Sequence, residues 1–147
     1  MPSSHALPGA PRNRLLAALP ADEWALLSSR LERVGLTVRQ VLHRPDQPIT
    51  ALHFIESGWV SLIGTLEGGD GAEAGQAGYD GMVGLPLVLG TDRSPFEAMV
   101  QCEGTALRLD AAAYRKELEN LPAFRSILLR YAMAFSVLVA QTAVCNG

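Results

Sequence analysis

The chain has 147 residues, a formal net charge of -3, 48% hydrophobic residues and only 18% charged ones. That length holds one well-buried core and little beyond a single domain with a flanking helix, and the composition excludes a disordered chain. The basic residues are scattered, with no stripe able to neutralise many phosphates, so the chain by itself is not expected to bind nucleic acid.

Met1 to Pro11 contains no Lys or Arg and no apolar stretch of useful length, so no signal peptide is expected there. Residues 1–12, broken by Pro2, Pro8, Gly9 and Pro11, are expected to form a flexible tail. Leu15, Leu16 and Leu19 predict a short helical turn ended by Pro20. Trp24, Leu27, Leu31 and Val34 follow at a 3,4,3 spacing, which predicts an amphipathic helix stopping at Gly35.

From Leu36 the pattern becomes that of short strands: Leu36 with Val38, Val41 with Leu42, then Leu52, Phe54 and Ile55, then Trp59, Val60, Leu62 and Ile63. The segments Arg44 to Pro48 and Glu56 to Gly58 read as the turns between them. Gly68 to Gly84 holds seven of the fourteen glycines and is expected to form turns and a loop. Phe96, Ala98 and Val100 then alternate with polar or longer residues, and Ala106, Leu107 and Leu109 complete a second strand set. Many short strands without a long helix between them imply a sandwich or roll.

Asp110 is placed to cap a helix over Ala111 to Leu118, and the Asn120-Leu121-Pro122 break introduces a long final helix. Beyond Glu119 the only charged side chains are Arg125 and Arg130, so apolar residues occupy nearly every face of that helix. Phe124, Leu128, Tyr131, Phe135 and Leu138 repeat at 4,3,4,3 spacing and form the expected dimer seam, while Ile127, Met133 or Ala134, Val137 and Val144 point elsewhere. The apolar run Tyr131 to Ala140, bounded by Arg130 and Gln141, falls short of the roughly 20 residues that cross a bilayer.

The order of these elements resembles the cyclic-nucleotide-binding regulatory domain of the CRP/FNR family of bacterial transcription regulators. Phe54-Ile55-Glu56-Ser57-Gly58-Trp59-Val60-Ser61-Leu62 is similar to its strand-turn-strand motif. Gly81, Met82, Val83, Gly84 and Leu85, followed by Arg93 and Ser94, are similar to its phosphate-binding cassette. The resemblance implies a mainly β fold, a double-stranded β-helix or jelly-roll-like β-roll, over residues 13–120. A dimerisation helix over 121–147 follows it, without the family's C-terminal helix-turn-helix domain. It also implies a cytoplasmic homodimer that reaches DNA and RNA polymerase only through that absent domain, responds to an unknown small effector and does not engage a membrane.

Backbone N–H groups and an arginine of such a cassette would hold a cyclic phosphate. The resemblance also places a glutamate for the ribose hydroxyl directly after the glycine matching Gly84, where this chain has Leu85. An unpaired buried hydroxyl costs on the order of 1–3 kcal/mol, so tight cyclic AMP binding is disfavoured. The alternative role for Arg93 is a surface pairing with Asp92 or Glu97. On the final helix, Leu138, Val139 and Ala140 leave only Ser136, Gln141 and Thr142 to face a base.

No cofactor or metal is expected. Iron–sulfur sensing needs clustered cysteines, and Cys102 and Cys145 stand far apart, a usage that fits a reducing compartment. Haem has four potential axial ligands in His43, His53, Met82 and Cys102, but lone histidines beside strands are more often structural. A cupin-like metal enzyme would share the roll, yet His43 and His53 lie ten residues apart and His5 is in the tail. With no Gly-x-Ser-x-Gly elbow either, the expectation is a non-enzyme. A genuine cyclic-nucleotide-binding regulatory domain is the main alternative, favoured only if the cassette glutamate were present.

Overall fold

The computed structural model describes residues 10–65, 69 and 71–146, with the side chains of 142–146 outside that description. Most of the expected tail, residues 1–9, therefore lies outside it, as do the side chains of Thr142, Val144 and Cys145. Two short helices, α1 (Arg14–Ala17) and α2 (Ala21–Ser28), precede strands β1 (Leu31–Leu36), β2 (Val41–His43), β3 (Ala51–Thr65), β4 (Gly71–Ala77) and β5 (Met82–Val83). Helix α3 (Leu85–Val88), strand β6 (Glu97–Asp110), α4 (Ala111–Glu117), a 3-10 turn (Leu118–Asn120) and α5 (Pro122–Asn146) complete the chain.

All strand pairs are antiparallel, in the order β1-β6-β3-β4, with β2 also on β6 and β5 also on β3. This is the expected β-roll with flanking helices and a long C-terminal helix. The first six residues of β3 are buried on both faces. Leu52 and Phe54 join a core with Leu16, Leu27, Phe124 and Leu128, while Ile55 and Val60 join a second core with Leu36, Val100 and Ala106.

Three boundaries differ from the sequence-based expectation. The helix predicted through Val34 ends at Ser28, where Ser28 and Ser29 hydroxyls donate to the Ala25 and Leu26 carbonyls and compete with the helix ladder. Leu31–Leu36 instead pairs residue for residue with β6, from Leu31 opposite Leu109 to Leu36 opposite Gly104. The helical spacing was genuine but shared by two elements, since Leu27 and Leu31 enter one core from a helix and a strand.

Second, Glu56 to Gly58 is not a turn. It is a bulged stretch inside one 15-residue strand, with register shifts between Ile55, Ser57, Trp59 and Val60. Gly58 has φ 76°, and a Cβ there would sit 2.3 Å from the Cys102 carbonyl oxygen. Across the ladder, a Cβ on Gly104 would sit 2.1 Å from the Ser57 carbonyl oxygen. Third, the glycine-rich stretch contains strand β4, paired with Val60 to Thr65, so its glycines are not only loop residues.

Polar groups fix the helices to the roll. Asn13 caps α1 and donates from Nδ2 to the carbonyls of Ile55 and Gly81 at 2.7 and 2.8 Å. The buried Glu56 carboxylate accepts from the backbone N–H of Arg12 at 2.6 Å and from Arg33 Nη2 at 3.1 Å, so order begins before the expected end of the tail. Glu23 of α2 accepts from the N–H groups of Ala123 and Phe124, both at 2.9 Å, and so caps α5 from 100 residues away. Asp110 caps α4 as expected, accepting from the Ala112 N–H.

Gly58→Ala and Gly104→Ala are each expected to lower unfolding free energy in urea titrations by about 3 kcal/mol or more, because backbone must move to admit the methyl group. Gly35→Ala, with nothing within 4 Å of the new atom, is expected to change it by less than about 1 kcal/mol. Glu23→Ala strips the α5 cap and is expected to cost about 1–2 kcal/mol by the same measurement.

Candidate functional site

Gly84 adopts φ 113°, a left-handed conformation that turns the chain out of β5 and into the single turn of α3. The chain then runs through Leu89 to Phe96 back to β6, and opposite this segment lies the second half of α5. Between them is a cavity of about 440 Å³ that opens to solvent. Met82, Val83, Gly84, Leu85, Arg93 and Ser94 line it. Gly81 does not. A Cβ there would meet the Tyr131 hydroxyl at 2.3 Å, so Gly81 admits an aromatic side chain of α5 against the roll, and its carbonyl accepts from Asn13.

The walls are largely apolar. Leu62, Leu89, Phe96, Phe135 and Val139 line the cavity, and Leu89 is 62% exposed. Sequence reasoning placed Leu62 and Phe96 only as strand residues. Their position at the cavity depends on the roll closing, which local periodicity does not report. Of the helix residues expected near a base, Val139 and Ala140 line the cavity, whereas Leu138 is 60% exposed and Gln141 is exposed. Ser136 lines it too, but its hydroxyl donates to the Ala132 carbonyl at 2.8 Å.

Polar character is concentrated in a few side chains. Arg93 Nη1 donates to the Asp46 carbonyl at 2.6 Å, and its Nε lies 3.8 Å from an Asp92 carboxylate oxygen. The surface pairing and the cavity position thus coexist, with Asp92 and not Glu97 as the partner; Glu97 lies 4.0 Å from Arg44. Ser94 Oγ accepts from the Phe96 N–H at 3.0 Å, leaving its own hydrogen free to donate. Leu85 supplies no carboxylate and Pro86 no N–H, so the cassette lacks a side-chain acceptor and one backbone donor together.

His43, at the end of β2, also lines the cavity, and its Nδ1 is buried with no hydrogen-bond partner. The other side of the ring is engaged, because the imidazole is bonded to the Phe96 backbone. His53 on β3 is buried with the same unpartnered Nδ1 but does not line the cavity. Burial holds both histidines below their ordinary pKa; His53, beside Arg108 and His43, falls to about 4. Met82 lines the cavity, whereas Cys102 is exposed on β6. Among the described residues no group of three or more His, Cys, Asp or Glu is placed to hold a metal ion.

The expected dimer seam is corrected by the structure. Phe124 and Leu128 are 1% and 0% exposed within the chain's own core, Tyr131 packs against that core, and Phe135 lies against Gly75 and the cavity. Burial raises the Tyr131 hydroxyl to about 12, offset in part by the Met82 backbone. The 4,3,4,3 seam is therefore the intramolecular face, because the roll offers the nearest apolar surface. Only Leu138 of the five is exposed, and the outward face carries Leu129, Met133 and Val137 at 43, 69 and 48% exposure. The apolar stretch is also longer than expected: Pro122–Gln141, mean hydropathy 1.5, is by length and composition alone able to cross a bilayer. Its inner residues are built into the core of the roll.

No protein-family profile and no curated protein matches the sequence. Solved structures do. The c-di-GMP-responsive global regulator CLP of Xanthomonas campestris superposes with TM-score 0.72 at 14% identity, over 85% of this chain and 63% of CLP. A doubly substituted CooA from Carboxydothermus hydrogenoformans gives 0.72 at 13% identity, over 90% of this chain and 84% of that one. The N-terminal domain of a transcriptional regulator from Streptomyces coelicolor gives 0.66 at 23% identity, over 90% and 92%.

The fold is thus that of a cyclic-nucleotide-binding-type domain, a jelly-roll-like β-roll with flanking helices. Its structural neighbours are CRP/FNR-type regulators and cyclic-nucleotide-binding proteins, and the described residues comprise that domain alone. The chain spans less than two thirds of CLP's length.

The two histidines make stability depend on pH. Their folded pKa values lie below the ordinary 6.5, so between 6.5 and about 4 the unfolded chain binds protons that the folded chain excludes. Their contribution is complete above 6.5 and is lost as pH falls, with His53 alone accounting for a loss on the order of 3 kcal/mol by about pH 4. Urea titrations at about pH 7.5 and pH 4.5 are expected to show this loss, and His53→Gln is expected to reduce the difference between them.

Proposed function

We propose that the chain is the effector-sensing and dimerisation domain of a bacterial CRP/FNR-type transcription regulator, a cytoplasmic non-enzyme with a pocket that does not bind cyclic AMP tightly. The observation that carries this reading is the position of the cavity, which is walled on one side by the cassette and on the other by Phe135, Ser136, Val139 and Ala140 of α5. An occupant touching both would favour one placement of α5 over another, which is the differential contact that a ligand-driven switch requires.

The outward face of α5 is the surface for a second copy. Leu129, Met133 and Val137 recur every four residues, with Leu138 beside them, and form an apolar stripe that a partner helix would cover. DNA contact would come from the helix-turn-helix domain that the resemblance implies, on half-sites about one helical turn apart. Weak cyclic nucleotide affinity is supported by Leu85, by Pro86, and by Arg93 being partly engaged with Asp46 and Asp92.

A genuine cyclic-nucleotide domain is the second reading. It is favoured by the retained turn at Gly84 and by Arg93 and Ser94 lining the same cavity.

Sedimentation at low micromolar concentration is expected to show a dimer, and Met133→Glu with Val137→Glu is expected to yield a folded monomer. A monomeric parent chain would overturn the dimer. Calorimetry with cyclic AMP is expected to give no binding tighter than roughly 100 μM, and micromolar binding would select the second reading.

A further inference from the structure

The cavity's polar groups specify more about its occupant than the loss of nucleotide chemistry does. Its polar side chains sit against a lining that is mostly hydrocarbon, and its volume of about 440 Å³ suits a compact molecule of roughly 10–15 heavy atoms. Arg93 is 56% exposed on its side chain and still lines the cavity, so it stands at the mouth. The Asp46 carbonyl and Asp92 engage part of the guanidinium, which leaves further N–H donors for an anion. Ser94, 7% exposed, has an unspent hydroxyl hydrogen next in sequence.

His43 adds a requirement of the opposite sense. It is 8% exposed, it lines the cavity, and its Nδ1 has no partner while the ring is bonded elsewhere to the Phe96 backbone. A buried lone pair without a donor is costly, and an occupant that brings an O–H to it relieves that cost. An anion alone cannot do so.

Resting on the sensor reading above, we propose that the cavity binds a small, mainly apolar organic acid that also carries a hydroxyl. Its carboxylate meets Arg93 and the Ser94 hydroxyl at the mouth, and its hydroxyl donates to Nδ1 of His43. Its hydrocarbon lies against Leu62, Leu89, Phe135 and Val139, which shields the exposed Leu89 from water. Because Phe135 and Val139 belong to α5, the hydrocarbon end is the part that reports occupancy to the helix.

The test is calorimetry of the whole chain with 3-hydroxydecanoate, decanoate, 1-decanol and cyclic AMP. The hydroxy acid is expected to bind with a Kd in the micromolar range, decanoate, which lacks the hydroxyl, about tenfold more weakly, and decanol, which lacks both the charge and the 3-hydroxyl, about a hundredfold more weakly. Arg93→Ala is expected to weaken both acids by about tenfold and leave decanol unchanged. His43→Phe is expected to erase the preference for the hydroxy acid, and Ala140→Phe, on the exposed turn of α5, to block all three.

Equal binding of the acid and the alcohol would overturn the proposal, as would acid binding indifferent to Arg93. Cyclic AMP binding without acid binding would overturn it and leave the sensor reading standing. Binding of none of the four would overturn it as well, while the sedimentation experiment would still decide the dimer separately.

Discussion

The roll depends on one close approach of backbone to backbone. Strands β3 and β6 run together for 15 and 14 residues, too long to stay in one flat layer, and they bend where Ser57-Gly58 faces Cys102 to Gly104. At that point there is no room for a side chain on either glycine. The bulges that result turn each strand so that one half, the first of β3 and the second of β6, packs on the helices while the other half closes the inner core. The Ser57 hydroxyl accepts the Thr105 N–H at 3.0 Å, so the irregular ladder does not leave that donor buried and unpaired. Without this bend the cassette and α5 would not face each other across a cavity.

The second level of organisation is polar and long-range. Asn13, Glu23 and Glu56 are all buried, and each joins segments far apart in sequence through backbone groups. Asn13 ties the start of α1 to the first residue of the cassette, and Glu23 ties α2 to the first turn of α5. The two walls of the cavity are thus referred to the same N-terminal helices. Loss of one carboxylate would leave buried N–H groups unpaired, a larger penalty than the loss of an apolar contact of similar size.

Much of this was legible in the sequence because period and punctuation are local. Pro122 and Asp110 marked helix starts, and the alternation from Phe96 to Val100 and the run Ala106 to Leu109 marked two strand segments that the structure joins into β6. What was not legible was settled by contacts across the chain. Leu31–Leu36 satisfies a helical spacing and a strand spacing, and only its six-residue pairing with β6 decides between them. The Glu56 to Gly58 segment carries turn residues, yet it remains in the ladder because β6 bends with it. Leu62, Phe96 and His43 could not be assigned to the cavity from local pattern, since each comes from a different strand or loop and meets the others only after closure.

The final helix shows why an apolar repeat identifies a buried face without naming what buries it. Phe124, Leu128, Tyr131 and Phe135 repeat as a coiled-coil seam does, but the glycines of the cassette and of β4 remove the side chains that would hold the helix away from the roll. Tyr131 lies over Gly81 and Phe135 over Gly75. An aromatic ring thus needs a glycine opposite it, and the glycine-rich stretch and the aromatic repeat are complementary halves of one intramolecular contact. The outer stripe of Leu129, Met133 and Val137, about half a turn away, stays available, and the cavity-facing Phe135 and Val139 lie on the same two turns. On the proposed reading, the spacing of these three faces couples effector and partner. A small rotation of α5 that seats Phe135 and Val139 against an occupant must also turn the outer stripe, since a helix packed on glycines can roll but cannot be compressed.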